Sequence, residues 1–304
     1  MILYSSPRFA EHTTPPGHPE GPERAGVFDS TARAFATTGG VVRPPRPATG
    51  EELSRIHTAG YLEMLRESAG RAVMLDPDTF TSPESHEIAL LAAGTAVDAA
   101  REAFDARTAS LALVRPPGHH AEADRAMGFC LFNHVGVAAA SLRANGVDRV
   151  AIVDIDVHHG NGTQNSFYED PTVLYISSHQ FPYYPGTGAA DEIGTGRGRG
   201  ATLNIPLTAG ATDDVYVRAY ESQVIPAIDA FGPDIILVSA GYDAHERDPL
   251  AAMRVTVSGY ARLAGLLKDA ADRHCHGRTM WITEGGYHLV ALGECLDATI
   301  GVLR

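Results

Sequence analysis

The sequence predicts a single α/β domain with a central, mostly parallel sheet of about eight strands and helices on both faces. Short runs rich in Val, Ile and Leu alternate with longer segments of helical periodicity, which is the pattern of parallel strands joined by helical crossovers. No repeat with a period of roughly 20 to 50 residues interrupts this pattern. No linker-like stretch divides the 304 residues, of which 44% are hydrophobic, so we treat residues 1–304 as one domain with a large core.

The predicted elements follow one another in the order expected of crossover connections. Apolar runs predict strands at residues 2–4, 111–114, 150–154, 173–177, 202–205, 235–239 and 280–283. Helical periodicity predicts helices at residues 83–104, 133–144, 213–231, 258–273 and 288–303. The first of these helices has the clearest pattern, because one apolar stripe follows a start signal at Ser82-Pro83-Glu84 and contains Ile88, Leu91, Ala92 and Thr95.

Composition limits the classes of function. The formal net charge of −13 argues against a nucleic-acid surface or an acidic membrane as partner, because both require clusters of Lys and Arg. Pro7, Arg8 and Glu11 arrive too early for an apolar leader, and no apolar run approaches a bilayer span. We therefore expect a soluble, cytoplasmic protein. Its scattered cysteines include no Cys-x-x-Cys pair, which predicts reduced thiols in the core at Cys130, Cys275 and Cys295.

The most informative segment is the strand at 150–154 and the residues that follow it. Side chains alternate along a strand, so Asp154, Asp156 and His158 are expected to project to one side and His159 to the other. Two carboxylates and an imidazole at the end of a buried strand need compensating charge, which a divalent cation supplies. A single Asp or His here is commonly a cap, turn or core residue, but three together favour metal binding. His159 is expected to pack or to form hydrogen bonds.

Three further predicted strands also end in chemically active residues. Ligands of open α/β sheets bind outside the carboxyl ends of the strands, so these ends are expected to lie together. The strand at 111–114 leads into His119 and His120, and the strand at 235–239 leads into Asp243. The strand at 280–283 leads into two glycines and Tyr287.

Asp156, His158 and Asp243 together form a ligand set with an open fourth position. Such a set is typical of a catalytic rather than a structural zinc site. Nitrogen and hard oxygen ligands also suit Fe²⁺, Co²⁺ or Mn²⁺, and ligand softness does not choose among these metals.

The remaining strand-end residues have the chemistry of amide hydrolysis. A neutral His119 or His120 beside a metal can take a proton from water and return it to a leaving amine. The hydroxyl of Tyr287 can donate to an oxyanion. Taken singly, the histidines are also compatible with packing on the Pro116-Pro117 turn, and Tyr287 with an ordinary turn aromatic. Their coincidence at neighbouring strand ends favours catalysis.

The glycine-rich segment 185–200 is the most irregular part of the chain. A phosphate-binding loop should lie between a strand and a helix N-terminus, but this segment leads into another strand. We expect a mobile loop beside the active site.

Further segments complete the pattern: His18-Pro-Glu-Gly-Pro-Glu-Arg24, Ile56-His-Thr-Ala-Gly-Tyr61, Asp76-Pro-Asp-Thr79, Gly128-Phe-Cys130, Asn161-Gly-Thr163 and Pro185-Gly-Thr-Gly188. With the strand-end motifs, they make the chain resemble the histone deacetylase superfamily of zinc amidohydrolases, with the arginase–deacetylase fold, almost end to end. The Glu284-Gly-Gly-Tyr287 ending and Asn161 are similar to the class II branch and its bacterial relatives. The class I branch carries Asp at the position of Asn161.

The resemblance implies a role for each matching residue. Zn²⁺ is expected on the three ligands named above, with His120 as general base and then acid, and His119 hydrogen-bonded to the attacking water. Asp154 is expected to orient His119 and Asn161 to orient His120, an arrangement that fixes tautomer and basicity. The neutral amide of Asn161 should leave His120 less readily protonated. Tyr287 matches the oxyanion tyrosine and favours a competent deacetylase.

The resemblance also implies a substrate tunnel and a structural K⁺. Phe129 and Tyr184 match the aromatic pair that walls the tunnel, and Asp78 aligns loosely with the rim aspartate that grips substrate amides. The other expected substrate contacts are Gly128, Leu250 and Gly286. The K⁺ is expected at Asp154, Asp156, His158, Ser177 and Ser178.

The substrate is left open by the sequence. One eukaryotic polyamine-deacetylase branch has Glu where this chain has Leu250, which favours acyl-lysine here. Glu84 or Asp191 is an alternative acid for the tunnel mouth. Removal of a small acyl group from lysine or a similar amine therefore ranks first, acetylpolyamine deacetylation second, and hydrolysis of a specialised acyl group or a natural-product amide third.

Two other classes of protein fit the sequence less well. An arginase-like ureohydrolase needs a second metal and a further Asp in place of the histidine pair and Tyr287. A non-catalytic acyl-lysine binding protein would have lost Tyr287, a histidine or a ligand. The sequence does not distinguish a monomer from a homo-oligomer.

Overall fold

The computed structural model describes all 304 residues. The strands are β1 (Ile2–Tyr4), β2 (Val41–Arg43), β3 (Val73–Asp76), β4 (Thr79–Thr81), β5 (Ala109–Ala112), β6 (Val150–Asp154), β7 (Val173–Gln180), β8 (Thr202–Leu207), β9 (Ile235–Ala240) and β10 (Thr279–Thr283). Eight of them form one sheet in the order β2-β1-β5-β10-β9-β6-β7-β8. All neighbouring pairs in this sheet are parallel. The predicted α/β fold with about eight strands is therefore confirmed.

Helices cover both faces of the sheet. They are α1 (Glu23–Thr37), α2 (Gly50–Leu53), α3 (Ala59–Glu67), α4 (Ser85–Ala106), α5 (His134–Ala144), α6 (Asn161–Phe167), α7 (Asp213–Ala219), α8 (Ile225–Phe231), α9 (Val257–Cys275) and α10 (Leu289–Leu303). The strand alternation divides the core in two. Val150 and Ile152 of β6 pack with α4 and α5, whereas Ala151 and Val153 pack on the side of α1, α9 and α10.

Several predicted boundaries shift by a few residues. The strand predicted at 111–114 is β5, which ends at Ala112, and β7 and β8 run on to Gln180 and Leu207. The sequence did not predict β2, the β3–β4 hairpin or helices α1, α2, α3 and α6. Most of these elements are short, and periodicity is weak evidence over three or four residues.

Helix α4 begins differently from the predicted capping pattern. The helix starts at Ser85, and its N-cap residue, Glu84, makes no side-chain cap hydrogen bond. Instead, the Ser85 hydroxyl accepts a hydrogen bond of 2.6 Å from the backbone N–H of Ser82. The predicted stripe on this helix is confirmed, because Ile88, Leu91, Ala92 and Thr95 are all buried.

The helix predicted at 213–231 is three segments. A π-helical turn, Tyr220–Val224, separates α7 from α8. Pro226 lies in the first turn of α8 and has no N–H to donate. The wider turn before it accommodates the lost hydrogen bond without ending the helix.

A buried ion cluster ties the N-terminal segment to the loop after β10. Glu20 accepts two hydrogen bonds of 2.7 Å from Arg115 and one of 2.9 Å from Arg24. Arg24 also donates to the carbonyl oxygens of Glu284 and Gly286, at 2.5 and 2.8 Å. Burial alone would raise the pKa of Glu20, but Arg115, His12 and Arg24 hold it well below its usual range. This cluster therefore fixes the loop that carries Tyr287.

The expectation that the cysteines are free and buried is met. Cys130, Cys275 and Cys295 are free and buried. None of the helices is both long enough and apolar enough to cross a lipid bilayer.

The buried ion cluster around Glu20 predicts a large loss of stability when Glu20 is removed. Glu20→Ala leaves two buried guanidinium groups without their carboxylate and is expected to lower the free energy of unfolding by about 3–5 kcal/mol. Denaturant titration measures this loss. The matched control is Glu63→Ala, which removes an exposed ion pair with Arg66 and should leave the midpoint unchanged. Equal effects of the two variants would contradict the assigned role of Glu20.

The same cluster predicts a pH dependence. Because the pKa of Glu20 is depressed in the folded protein, its stabilisation is present above the pKa of the unfolded carboxyl. The difference in stability between the wild type and Glu20→Gln, measured by denaturant titration across pH, should therefore shrink as the pH falls below about 4.

Candidate active site

The chemically active residues follow four neighbouring strands. β5, β10, β9 and β6 are adjacent in the middle of the sheet and parallel, so their carboxyl ends meet at one edge. The loops after them carry the histidine pair, Tyr287, Asp243 and the Asp154–His158 segment respectively. The sheet topology thus brings together residues that lie far apart in the sequence.

Asp156, His158 and Asp243 form one buried cluster. Their potential ligand atoms all lie within 4.8 Å of one another. The Nδ1 atom of His158 lies 3.1 Å from Asp156 Oδ1 and 3.1 Å from Asp243 Oδ2. The structure thus brings these three side chains together, and their binding of a metal stays a prediction.

The surroundings of this cluster suit a divalent cation. Burial, reinforced by the charge of Asp156, raises the pKa of Asp243 to about 7. The neighbouring backbone supplies part of the compensation, with Gly285 N and His158 N donating to Asp156 and Val157 N donating to Asp243. A Cβ at Gly285 would lie 2.1 Å from Asp243 Oδ2, so only glycine permits this close approach. Two buried carboxylates and one imidazole nitrogen are a fitting donor set for zinc and similar metals.

The alternation of side chains along a strand, which predicted this cluster, does not extend over all of its residues. β6 ends at Asp154, and Asp156 and His158 lie in the following loop. Asp154 points to His119 Nδ1, at 3.0 Å, and accepts a hydrogen bond of 3.2 Å from Tyr175. His159 is buried apart from the cluster, with hydrogen bonds to Thr187 and Gln164, as its predicted packing role requires.

The two adjacent histidines have opposite electrostatic surroundings. Burial lowers the pKa of His119, but Asp154 and Asp156 outweigh it and raise this pKa to about 10. Burial and the nearby charges of His119 and His158 hold the pKa of His120 well below its usual value. His120 is therefore the neutral member of the pair and the better proton acceptor.

The partner of His120 is an amide. Nδ1 of His120 lies 2.8 Å from Oδ1 of Asn161, the residue that the family resemblance implies as the partner of this ring. The amide nitrogen of Asn161 lies 2.5 Å from the carboxylate of Glu122, which the sequence analysis did not identify.

Glu284 fixes the loop that carries the histidines. Its carboxylate accepts hydrogen bonds from the backbone N–H groups of Gly118 and His119, at 2.6 and 3.1 Å, and from Ser239. Burial raises the pKa of Glu284 to about 7. The sequence showed this residue only as part of a motif, because its partners lie in the loop after β5 and in β9, far from it in the sequence.

Tyr287 is a protonated phenol held between charged and aromatic neighbours. Burial and the charge of Asp243 raise its pKa well above the ordinary value. The guanidinium of Arg24 lies 5.2 Å from the ring centre, and the ring of Phe129 lies edge-on at 5.9 Å. Its backbone N–H donates to Asp248 at 2.7 Å. The hydroxyl therefore keeps its proton at neutral pH and can donate a hydrogen bond.

A narrow cavity of about 160 Å³ leads to this site. Five of the predicted substrate contacts line the cavity: Asp78, Gly128, Phe129, Tyr184 and Leu250. The other lining residues are His120, His158, Tyr287 and Tyr183. The ring of Tyr184 lies edge-on to His120 at 5.2 Å, and Tyr183 stacks on His158 at 5.7 Å. The cavity is therefore an aromatic-walled passage with a polar base.

One wall of the cavity is held in an unusual backbone conformation. Gly128 and Phe129 have φ values of 56° and 69°, and a Cβ at Gly128 would lie 2.3 Å from the His120 ring. The β3–β4 hairpin secures them, because Gly128 N donates to Asp78 Oδ1 and Phe129 N donates to Thr79. Asp78 thus supports the wall as well as lining the cavity.

Some predicted contacts lie elsewhere. Gly286 does not line the cavity, and its carbonyl oxygen is turned towards Arg24. Neither Glu84 nor Asp191 lines it. The beginning of the segment 185–200 is held by two hydrogen bonds. The hydroxyl of Thr187 contacts His159, and the carbonyl of Gly188 contacts His179. Its mobility stays a prediction.

The residues predicted to bind K⁺ are buried near Asp154. The hydroxyl of Ser177 lies 2.9 Å from His179 Nδ1, and that of Ser178 lies 3.2 Å from the Tyr220 hydroxyl. A structural K⁺ at this place stays a prediction.

This fold and site define an α/β protein whose buried polar centre lies at the base of a narrow passage. Residues 18–303 match the family described as histone deacetylase domain. A histone deacetylase-like amidohydrolase of Pseudomonas aeruginosa is 43% identical over 292 residues, covering 93% of this chain and 76% of that protein. A probable deacetylase of Archaeoglobus fulgidus is 38% identical over 283 residues, covering 92% of this chain and 79% of that protein. The chain belongs to the histone deacetylase family.

The chain is also similar to a longer plant protein and to a solved structure. Histone deacetylase 15 of Arabidopsis thaliana is 41% identical over 314 residues, and the alignment covers 100% of this chain but 55% of that protein. The chain thus spans about half the length of this relative. The crystal structure of the HDA15 HD domain matches with a TM-score of 0.93 at 38% identity, covering 99% of this chain and 88% of that chain.

The cluster of Asp156, His158 and Asp243 predicts that zinc stabilises the folded protein. Zn²⁺ at 100 times its dissociation constant should stabilise the wild type by about 2.7 kcal/mol, because the ion binds only the folded site. Asp243→Asn should lose most of this stabilisation, whereas Asp105→Asn, which changes an exposed ion pair, should retain it. Thermal unfolding with and without zinc, together with metal analysis, measures the effect. Equal stabilisation of both variants would place the metal elsewhere.

Proposed function

We propose that this protein is a zinc-dependent deacetylase that removes acetyl, or another small acyl group, from the side-chain amine of acyl-lysine or a similar amine. The observation that carries the proposal is the convergence of the Asp156, His158 and Asp243 cluster with His120 and Tyr287 at the base of the cavity. An acyl-lysine side chain is long, narrow and apolar up to its amide, which matches an aromatic-walled passage with a polar base.

In this proposal, Asp156, His158 and Asp243 hold Zn²⁺. When bound, the ion supplies Lewis acidity, which polarises the substrate carbonyl and makes a water more acidic. His120 takes the proton of the attacking water on Nε2, because Nδ1 is engaged by Asn161. The same nitrogen later gives the proton to the leaving amine.

The other site residues stabilise charge during this reaction. The protonated phenol of Tyr287 donates a hydrogen bond to the oxyanion that forms when water adds to the amide. His119, held by Asp154, presents its other nitrogen to the attacking water. Phe129 and Tyr184 lie along the methylene groups of the substrate and exclude bulk water. The structural K⁺ expected at Asp154, Asp156, His158, Ser177 and Ser178 belongs to the same proposal and rests on the resemblance alone.

The cavity lining favours acyl-lysine over acetylpolyamine. Asp78 is the only carboxylate among the lining residues, and its Oδ1 already accepts hydrogen bonds from Thr79 and Gly128. The cationic tail of a polyamine therefore finds little compensating charge. Leu250 lines the cavity with an apolar side chain, and its carbonyl accepts a hydrogen bond from Tyr183.

Steady-state hydrolysis tests the reaction. The zinc-loaded protein is expected to prefer an acetyl-lysine peptide to N-acetylspermidine. Tyr287→Phe should lower kcat by about 100- to 1,000-fold with a small effect on KM, because the lost hydrogen bond acts on the oxyanion. His120→Ala should lower kcat by about 100- to 10,000-fold. Metal analysis of each variant is the control for an intact zinc site, and full activity in either variant would contradict the mechanism.

A substitution at the cavity mouth tests the substrate. Leu250→Glu should raise the ratio of kcat/KM for N-acetylspermidine over the peptide by about tenfold, because a carboxylate there attracts the polyamine ammonium. Leu250→Gln is the control for size and polarity and should leave the ratio near that of the wild type. An equal shift in both variants would mean that charge at this position does not select the substrate.

A further inference from the structure

We propose that Glu122 is a positioning residue that fixes the amide orientation of Asn161 and, through it, the tautomer of His120. The inference rests on the proposed role of His120 as general base. It adds a third member, two residues after His120 in the same loop, to the His120–Asn161 pair.

The contacts of Glu122 point to this role. One carboxylate oxygen lies 2.5 Å from the amide nitrogen of Asn161. Asn165, one turn further along α6, donates from its own amide nitrogen to both oxygens of Glu122, at 3.0 and 3.1 Å. An ionised carboxylate only accepts hydrogen bonds, so both amides must turn their NH₂ groups towards it.

The backbone of Glu122 is also fixed. Its N–H donates to the carbonyl of Arg125 at 2.9 Å, and its carbonyl oxygen lies 3.0 Å from Nδ1 of His57. His57 accepts from the Asn133 N–H at Nε2, and burial lowers its pKa to about 4. The neutral ring therefore donates from Nδ1 to the Glu122 carbonyl. Because its backbone is held in place, Glu122 presents its carboxylate to Asn161 from a fixed position.

The orientation of Asn161 determines where His120 carries its proton. An Asn amide has nearly the same shape when its oxygen and nitrogen exchange places. With the NH₂ group on Glu122, the oxygen faces His120, and Nδ1 of His120 must be the donor. The lone pair is then on Nε2, the nitrogen that accepts the proton in the proposed reaction. After a flip, the NH₂ group would face Nδ1 and the proton would move to Nε2, where it blocks base catalysis.

A carboxylate in place of the Asn161 amide would need no such support, because it accepts from His120 in either orientation. The amide of Asn161 does need a partner that fixes its orientation, because only its oxygen can accept from His120. Two weaker acceptors also face the Asn161 nitrogen, Met127 Sδ and the His120 carbonyl, each at 3.4 Å. Glu122 is the only charged partner, and a flip would bring the amide oxygen against its carboxylate. This repulsion makes Glu122 the main determinant of the orientation.

The test uses E122Q, E63Q, N161D and N161D/E122Q. The glutamine introduced by E122Q keeps the size of the side chain but offers both a donor and an acceptor, so Asn161 can adopt either orientation. E122Q should lower kcat on the acetyl-lysine peptide by about tenfold with KM unchanged, a fraction of the full effect of a general base. E63Q removes an exposed carboxylate of the Arg66 ion pair and should change neither constant.

The double variant separates positioning from general structural support. N161D alone should be impaired, because it places two carboxylates about 2.5 Å apart. In N161D/E122Q, the introduced carboxylate accepts from His120, and the introduced glutamine amide donates to that carboxylate. The kcat should therefore return to within about threefold of the wild type. A loss in E122Q that the double variant does not recover would overturn the proposal, as would an unchanged kcat in E122Q.

Nitrogen NMR supplies a readout that is independent of turnover. In histidine-labelled protein, with His120→Gln used for assignment, the wild type should show a protonated Nδ1 and an unprotonated Nε2 on His120. E122Q should show a mixture, and N161D/E122Q the wild-type pattern. If the protein hydrolyses no acyl amine but these spectra change as expected, the proposed function fails and the role of Glu122 stands. An unchanged Nδ1-protonated ring in E122Q overturns that role.

Discussion

The concentration of buried negative charge at one edge of the sheet is the constraint on which this site depends. Asp154, Asp156, Asp243 and Glu284 are all essentially inaccessible to water, and each buried carboxylate requires compensation. Backbone N–H groups from Gly118, His119, Gly285 and Val157 and the rings of His119 and His158 supply part of it. The glycines in these loops permit that close approach. A divalent cation completes the compensation in the proposed function.

The same constraint separates two histidines that are adjacent in the sequence. His119 faces Asp154, and its pKa rises, whereas His120 faces the amide of Asn161, and its pKa falls. Their ring centres are only 4.0 Å apart. The difference in partner therefore divides the work of the proposed reaction, with one ring stabilising charge and the other transferring a proton. Tyr287, kept protonated by burial, adds the donor that neither ring provides.

Much of this arrangement could be predicted from the sequence because parallel strands place their carboxyl ends together. The strand ends alone identified Asp156, His158, Asp243, the histidine pair and Tyr287. Glu122 and Glu284 were missed as partners, since Glu122 contacts Asn161 from 39 residues away and Glu284 contacts His119 from 165 residues away in the sequence. The second role of Asp78 depends on the unpredicted β3–β4 hairpin. Gly286 was expected in the cavity from the family resemblance, but it does not line the cavity, and its carbonyl accepts a hydrogen bond from Arg24.

The central claim is that one metal ion at the base of the cavity faces an acyl-lysine amide. Diffraction at the zinc absorption edge, from Tyr287→Phe crystals grown with zinc and an acetyl-lysine peptide, tests it most directly. We predict a single anomalous peak about 2.0–2.2 Å from the ligand atoms of Asp156, His158 and Asp243, with the acetyl-lysine side chain between Phe129 and Tyr184. A peak elsewhere, a pair of metal ions, or a peptide bound outside the cavity would contradict it.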